Sequence, residues 1–82
     1  MKYIIFDNGT GILFSNMQNH SDMTFGRNVV SAGFCRVETT RNQFDDIIVK
    51  DVQCYGKSDS LGITSHSGDS EIIRDIFLGM NN

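Results

Sequence analysis

Asn28-Val29-Val30-Ser31-Ala32-Gly33-Phe34-Cys35-Arg36-Val37 and, after the polar segment Glu38 to Asp45, Asp46-Ile47-Ile48-Val49-Lys50-Asp51-Val52-Gln53-Cys54-Tyr55 are the two runs that decide the fold. Both are rich in β-branched and aromatic residues, which suit a pleated, half-buried surface, and the polar segment between them supplies the turn. They read as the arms of an antiparallel hairpin. The chain then continues as Gly56-Lys57-Ser58-Asp59-Ser60-Leu61-Gly62, where two glycines bracket a pair of serines. Glycine lets backbone N–H groups approach a ligand closely, so a binding site is expected near this loop.

Working outward, Tyr3 to Phe6 is an apolar run that stops at Asp7-Asn8-Gly9, a strong turn signal, before Ile12-Leu13-Phe14 resumes it. This predicts a second hairpin. The loop Asp7 to Gly11 lacks the lysine and the following helix of a phosphate-binding P-loop and reads as a plain turn. From Ser15 to Arg27 the chain is polar, and Met17, His20 and Met23 fall three apart, predicting one or two helical turns opened by Ser15 or Asn16. Ser67-Gly68-Asp69-Ser70-Glu71 supplies a cap residue and acids suited to the positive end of a helix. Ile72, Ile73, Ile76, Phe77 and Met80 then form an apolar stripe, with Gly79 and Asn81-Asn82 ending the helix. The expected fold is α+β, a small antiparallel sheet of two hairpins with a C-terminal amphipathic helix packed on one face. Under the helix, alternation places Ile4, Phe6, Val30, Phe34, Ile48, Val52 and Cys54. The second sheet face is expected to be uncovered, with Val29, Val37, Val49 and Tyr55 there or at an edge, which argues for a homo-oligomer or another partner surface.

A chain of 82 residues makes a single domain, 1–82, and buries only about 60% of its unfolded surface. Cys35 and Cys54 come without a dense cysteine framework, so they are expected to be free, buried thiols in a reducing, cytoplasmic setting. Seven basic against ten acidic residues leave a formal charge of −3, and no Lys/Arg cluster provides the footprint of general DNA binding. No apolar run reaches the roughly 20 residues of a membrane helix, and the start Met1 to Phe6 is too short for a signal peptide.

No motif names a reaction. His20 and Asp22, or the two histidines with the two cysteines, lack the spacing of a catalytic or zinc site, so neither metal nor cofactor is expected. Ser58, Ser60, Ser65 and Ser67 have no nucleophile elbow around them. Asp45 and Asp46 are adjacent strand-type residues pointing to opposite sides and cannot easily share a proton. Arg36 could reach an anion with a bidentate fork, although a strand arginine more often pairs with a carboxylate such as Glu38 or Asp51.

The order Ile12-Leu13-Phe14, Asn19-His20-Ser21-Asp22-Met23, Val30-Ser31-Ala32-Gly33-Phe34, Cys54 to Ile63 with its Ser60-Leu61-Gly62 block, and Asp69-Ser70-Glu71-Ile72-Ile73 resembles a family of very small tailed-phage proteins of unknown function. That family tends to carry proline after the Leu-Phe pair and before the last helix, where Ser15 and Ser67 stand here. The resemblance implies a phage protein acting in the cytoplasm of a host bacterial cell, and moves expectation towards proteins that block host defence. His20, Ser21, Arg36, Tyr55, Ser58, Ser60 and Gly62 offer donors and a stacking ring without a nucleophile, metal cage or acid–base pair, so the expected role is non-enzymatic. It is the sequestration of a nucleotide immune signal, such as a cyclic nucleotide. The alternatives are a protein-surface inhibitor of a host defence complex, of anti-CRISPR type, and a structural virion-associated subunit.

Overall fold

Tyr3-Ile4-Ile5-Phe6 is apolar at every position, and a strand carries such a run at no cost only where both of its faces are covered. A computed structural model describes residues 1–80, without the side chains of residues 78–80. In it the run forms β1 (Lys2–Phe6), pairing with β2 (Gly11–Phe14) on one side and β3 (Val29–Arg41) on the other. Strand β4 (Ile47–Tyr55) completes a four-stranded antiparallel sheet of order β2-β1-β3-β4. A two-stranded sheet follows, β5 (Lys57–Ser58) and β6 (Ile63–Thr64), and then the helix α1 (Asp69–Met80). The fold is α+β with the helix packed on one sheet face, as the sequence predicts. The expected stripe residue Met80 and the expected helix end at Gly79, Asn81 and Asn82 lie outside the described side chains and residues.

Both hairpins turn in the same way. In the first, Phe6 N–H donates to Thr10 O (2.8 Å) and Gly9 N–H to Phe6 O (3.0 Å), with Gly9 at φ 84°. In the second, Asn42 N–H donates to Asp46 O (3.1 Å) and Asp45 N–H to Asn42 O (3.0 Å), with Asp45 at φ 64°. Each is a three-residue loop closed by a left-handed residue, so Asp45 occupies the place that glycine fills in the first. The strand therefore runs further than expected, through Glu38 to Arg41, and the turn is confined to Asn42 to Asp46. Strand β3, with 13 residues at about 3.3 Å each, accounts for the 42 Å long axis of the molecule.

The core has two layers. Beneath α1 lie Tyr3, Ile5, Cys35 and Val52, packed with Ile73 and flanked by Leu13, Val37, Val49, Cys54, Ile72, Ile76 and Phe77. On the opposite face Ile4, Phe6, Phe14 and Ala32 are buried with Ile12, Met23, Val29, Leu61 and Ile63. The expected faces are thus corrected. Ile4, Phe6 and Phe34 lie away from the helix and Val37 and Val49 lie under it, while Val30 and Ile48 are exposed; Val52 and Cys54 keep their place under the helix, and Val29 and Tyr55 theirs on the second face.

Two bulges explain part of this. The β1–β3 register passes from Ile5↔Ser31 to Phe6↔Val29, leaving Val30 as an extra residue, and the β3–β4 register passes from Glu38↔Asp51 to Thr39↔Val49, leaving Lys50 extra. Each bulge reverses the alternation beyond it. The Lys50 bulge is also what sets Phe34 opposite Tyr55 rather than Cys54. Nor is the second face bare: the chain folds Met23, Leu61 and Ile63 over it. The helical turns expected between Ser15 and Arg27 reduce to one 3-10 turn, His20–Met23, preceded by Asn19, while Ser15 Oγ accepts from Met17 N–H (3.1 Å).

Candidate functional site

The 3-10 turn brings His20 onto the second sheet face. The residue is 4% exposed, its ring meets Phe14 and Phe34 edge-on at centroid distances of 5.4 and 5.8 Å, and its Nε2–H donates to Gly33 O at 2.8 Å. Since a carbonyl can only accept, this bond assigns the Nε2 proton and leaves Nδ1 without one in the neutral ring. Phe34 in turn stacks on Tyr55 with centroids 6.0 Å apart. Gly33 is needed for this arrangement: a Cβ there would stand 2.5 Å from Tyr55 O.

Next to this aromatic group opens a pocket of about 220 Å³ lined by Lys2, Asn19, His20, Phe34, Lys57, Asp59 and Ser60. Lys2 enters from the start of β1, with Nζ donating to Gln18 O at 2.8 Å. Lys57 and Asp59 face each other at 3.7 Å, with both side chains largely in solvent, so this pair holds Lys57 only weakly. The loop from Ser58 to Gly62 is built by its own bonds: Ser58 Oγ accepts from Leu61 N–H (3.2 Å), and Gly62 N–H, at φ +66°, donates to Ser58 O (2.9 Å). With a neutral histidine, Lys2, Lys57 and Asp59 give the lining a formal charge of 2 − 1 = +1, opposite in sign to the −3 of the whole chain.

The structure therefore divides the expected site residues. His20 and Ser60 line one pocket, and Tyr55 extends its wall through Phe34. Ser58, 1% exposed, and Gly62 form the loop rather than its surface. Ser21 and Arg36 are exposed and outside the lining. No ion pair of Arg36 is found among the described residues, and Asp51 instead accepts from Arg74 (3.0 Å). Sequence reasoning missed Lys2, Lys57, Asn19 and Phe34; the lysine inside the Gly56 to Gly62 block was the available signal.

A second polar group lies under the start of α1. Tyr3 Oη donates to Asp69 Oδ2 (2.5 Å), and His66 N–H reaches the same oxygen (2.9 Å). Burial, and then the bond to Asp69 and its charge, push the Tyr3 phenol far above its ordinary range. Ser31 Oγ lies 2.7 Å from His66 Nδ1, the spacing of a nucleophile and its base. Two features oppose that chemistry: Ser31 is 4% exposed, and Asp69 binds the His66 backbone rather than its ring. This group joins the helix to the sheet. Among the described residues, no cluster of three or more His, Cys, Asp or Glu is placed to hold a metal ion, and no helix is long and apolar enough to cross a membrane.

Comparison with protein-family models, with curated proteins and with solved structures finds no match to this chain.

Proposed function

We propose that the protein binds a phosphate-bearing, nucleotide-type small molecule in the pocket between Lys2, His20, Lys57 and Ser60, and releases it unchanged. The observation that supports this is the meeting of two lysines, a serine hydroxyl and an aromatic wall in one concave site. Lysines bind phosphate as point charges, serine adds a hydrogen bond, and Phe34 with Tyr55 offers a stacking surface for a base. Sites for drug-sized ligands usually hold about 300–1,000 Å³, so a pocket of about 220 Å³ suits one phosphate with its sugar rather than a whole cyclic dinucleotide. A cyclic signal would then be shared between two copies, in keeping with a homo-oligomer. In the setting that the phage resemblance implies, such binding would remove an immune signal.

Calorimetry against mononucleotides, cyclic di- and trinucleotides and ADP-ribose derivatives tests the reading. Lys57→Ala and Ser60→Ala should each weaken binding by about 5- to 150-fold, equivalent to roughly 1–3 kcal/mol, without changing thermal stability. Absence of heat with every compound would reject it. One observation favours the protein-surface inhibitor instead: Phe44, Ile47 and Ile48, at the far end of the β3–β4 hairpin, are 74%, 56% and 42% exposed. Under that reading Phe44→Ser abolishes capture of a host defence protein while Lys57→Ala does not.

A further inference from the structure

Cys35 and Cys54 are direct cross-strand partners in the β3–β4 ladder, and the backbone bonds around them determine what kind of pair they make. Cys35 N–H donates to Met1 O (2.8 Å), and Cys35 O accepts from the Met1 amino group (3.3 Å), so both of its main-chain polar groups turn towards β1 and away from β4. Cys54 N–H turns the other way and donates to Ser70 Oγ (2.9 Å). The two residues therefore face each other as a non-hydrogen-bonded antiparallel pair. Opposed Cα atoms in such a pair are about 4.5 Å apart and the side chains are at their closest, within the roughly 4.4–6.8 Å over which a disulfide can be closed. Both thiols are free and belong to the same apolar cluster beneath α1. Their accessibility differs: Cys35 is buried, whereas Cys54, on the edge strand, is half-exposed.

We propose that Cys35 and Cys54 are an oxidisable dithiol that closes to a cross-strand disulfide in the folded protein by exchange with a low-molecular-weight disulfide. The Cys54 thiolate attacks one sulfur of that disulfide, and the other sulfur leaves as a thiolate and takes up a proton. A mixed disulfide remains on Cys54. The Cys35 thiolate then attacks Cys54 Sγ and expels the second small thiol. Two protein S–H bonds are lost and one S–S bond forms, while the small disulfide is reduced to two thiols. Burial raises both thiols above their ordinary value, Cys54 to about 11, so the attacking thiolate is scarce near neutrality and exchange accelerates with pH. The pair thus responds to a sustained oxidising environment rather than to a brief pulse. Once closed, the bond ties the long hairpin to the register that sets which of its side chains face α1.

The test is incubation of the full chain with oxidised glutathione at pH 8.5, acid quench, alkylation of remaining thiols and mass spectrometry. The expected product is lighter than the reduced chain by two hydrogens and takes up no alkylating agent. Trypsin should release the segment Asn28–Arg36 joined to Asp51–Lys57. Cys35→Ser should instead accumulate glutathione on Cys54, and thermal melting of the oxidised wild type should show a folded protein no less stable than the reduced one. The proposal is overturned if wild-type protein keeps both thiols alkylatable, stops at the mixed disulfide, joins two chains, or closes only in urea. Each of these is read on the wild type, so the conclusion does not depend on the variant folding.

Discussion

Replacing Tyr3 by phenylalanine isolates the polar joint between sheet and helix. Tyr3 is 0% exposed and Asp69 3% exposed, and the phenol gives the carboxylate one of its two bonds, the other coming from His66 N–H. Tyr3→Phe keeps the ring that packs against Ile73 and removes only the hydroxyl, leaving a buried carboxylate with a single donor. A hydrogen bond to a charged group contributes about 1.5–3 kcal/mol, and for a domain of this size each kcal/mol moves Tm by roughly 4–8 °C. Urea unfolding at pH 7 should therefore show a loss of about 1.5–3 kcal/mol at constant slope, with Tm lower by about 6 °C or more. In a double-mutant cycle with Asp69→Asn the two losses should not add. The pH dependence is a second readout. The folded-state phenol titrates above its ordinary 10.0, chiefly through burial and then through Asp69. Its contribution is therefore complete below about pH 10 and falls as pH rises beyond it, because the unfolded chain releases a proton that the folded chain retains. Cys54, raised from 9.0 to about 11, adds an earlier decline between those values. Tyr3→Phe should flatten the alkaline limb above pH 10, and Cys54→Ser the part below it. A loss under about 0.5 kcal/mol with an unchanged alkaline limb would refute the reasoning.

Ile73→Asp, at a position 0% exposed in the helix-side cluster, should cost more than about 4 kcal/mol and abolish the cooperative melt, while Phe77→Asp, at a half-buried position, should cost less. Gly33→Ala would set a methyl 2.5 Å from Tyr55 O; the backbone must move, and a loss of about 1–3 kcal/mol is expected in urea, with weaker ligand binding as the Gly33–His20 bond shifts. Light scattering at micromolar concentration should give more than one chain per particle, and a strict monomer would remove the shared-ligand reading.

The two hairpins and the C-terminal helix were legible in the sequence because each rests on local chemistry, whereas the short β5–β6 pair was not. Asp7-Asn8-Gly9 turns by its glycine, the β-branched runs pair across a turn, and the spacing of Ile72, Ile73, Ile76 and Phe77 describes a helix. The unbroken run Tyr3 to Phe6 is the signal of a strand covered on both faces, and the expectation of a bare second face left that signal unused. Which residues meet was decided only in three dimensions. A turn closed by Asp45 in a left-handed conformation and bulges at Val30 and Lys50 set the register, and alternation with a period of two turns every one-residue shift into a change of face. The same shift places Cys35 against Cys54. Lys2 and Lys57, 55 positions apart, share a pocket because β1 pairs with β3 and β5 follows directly from β4. Local propensity carries no information about such a meeting, since it depends on long-range pairing of strands rather than on neighbours in the chain.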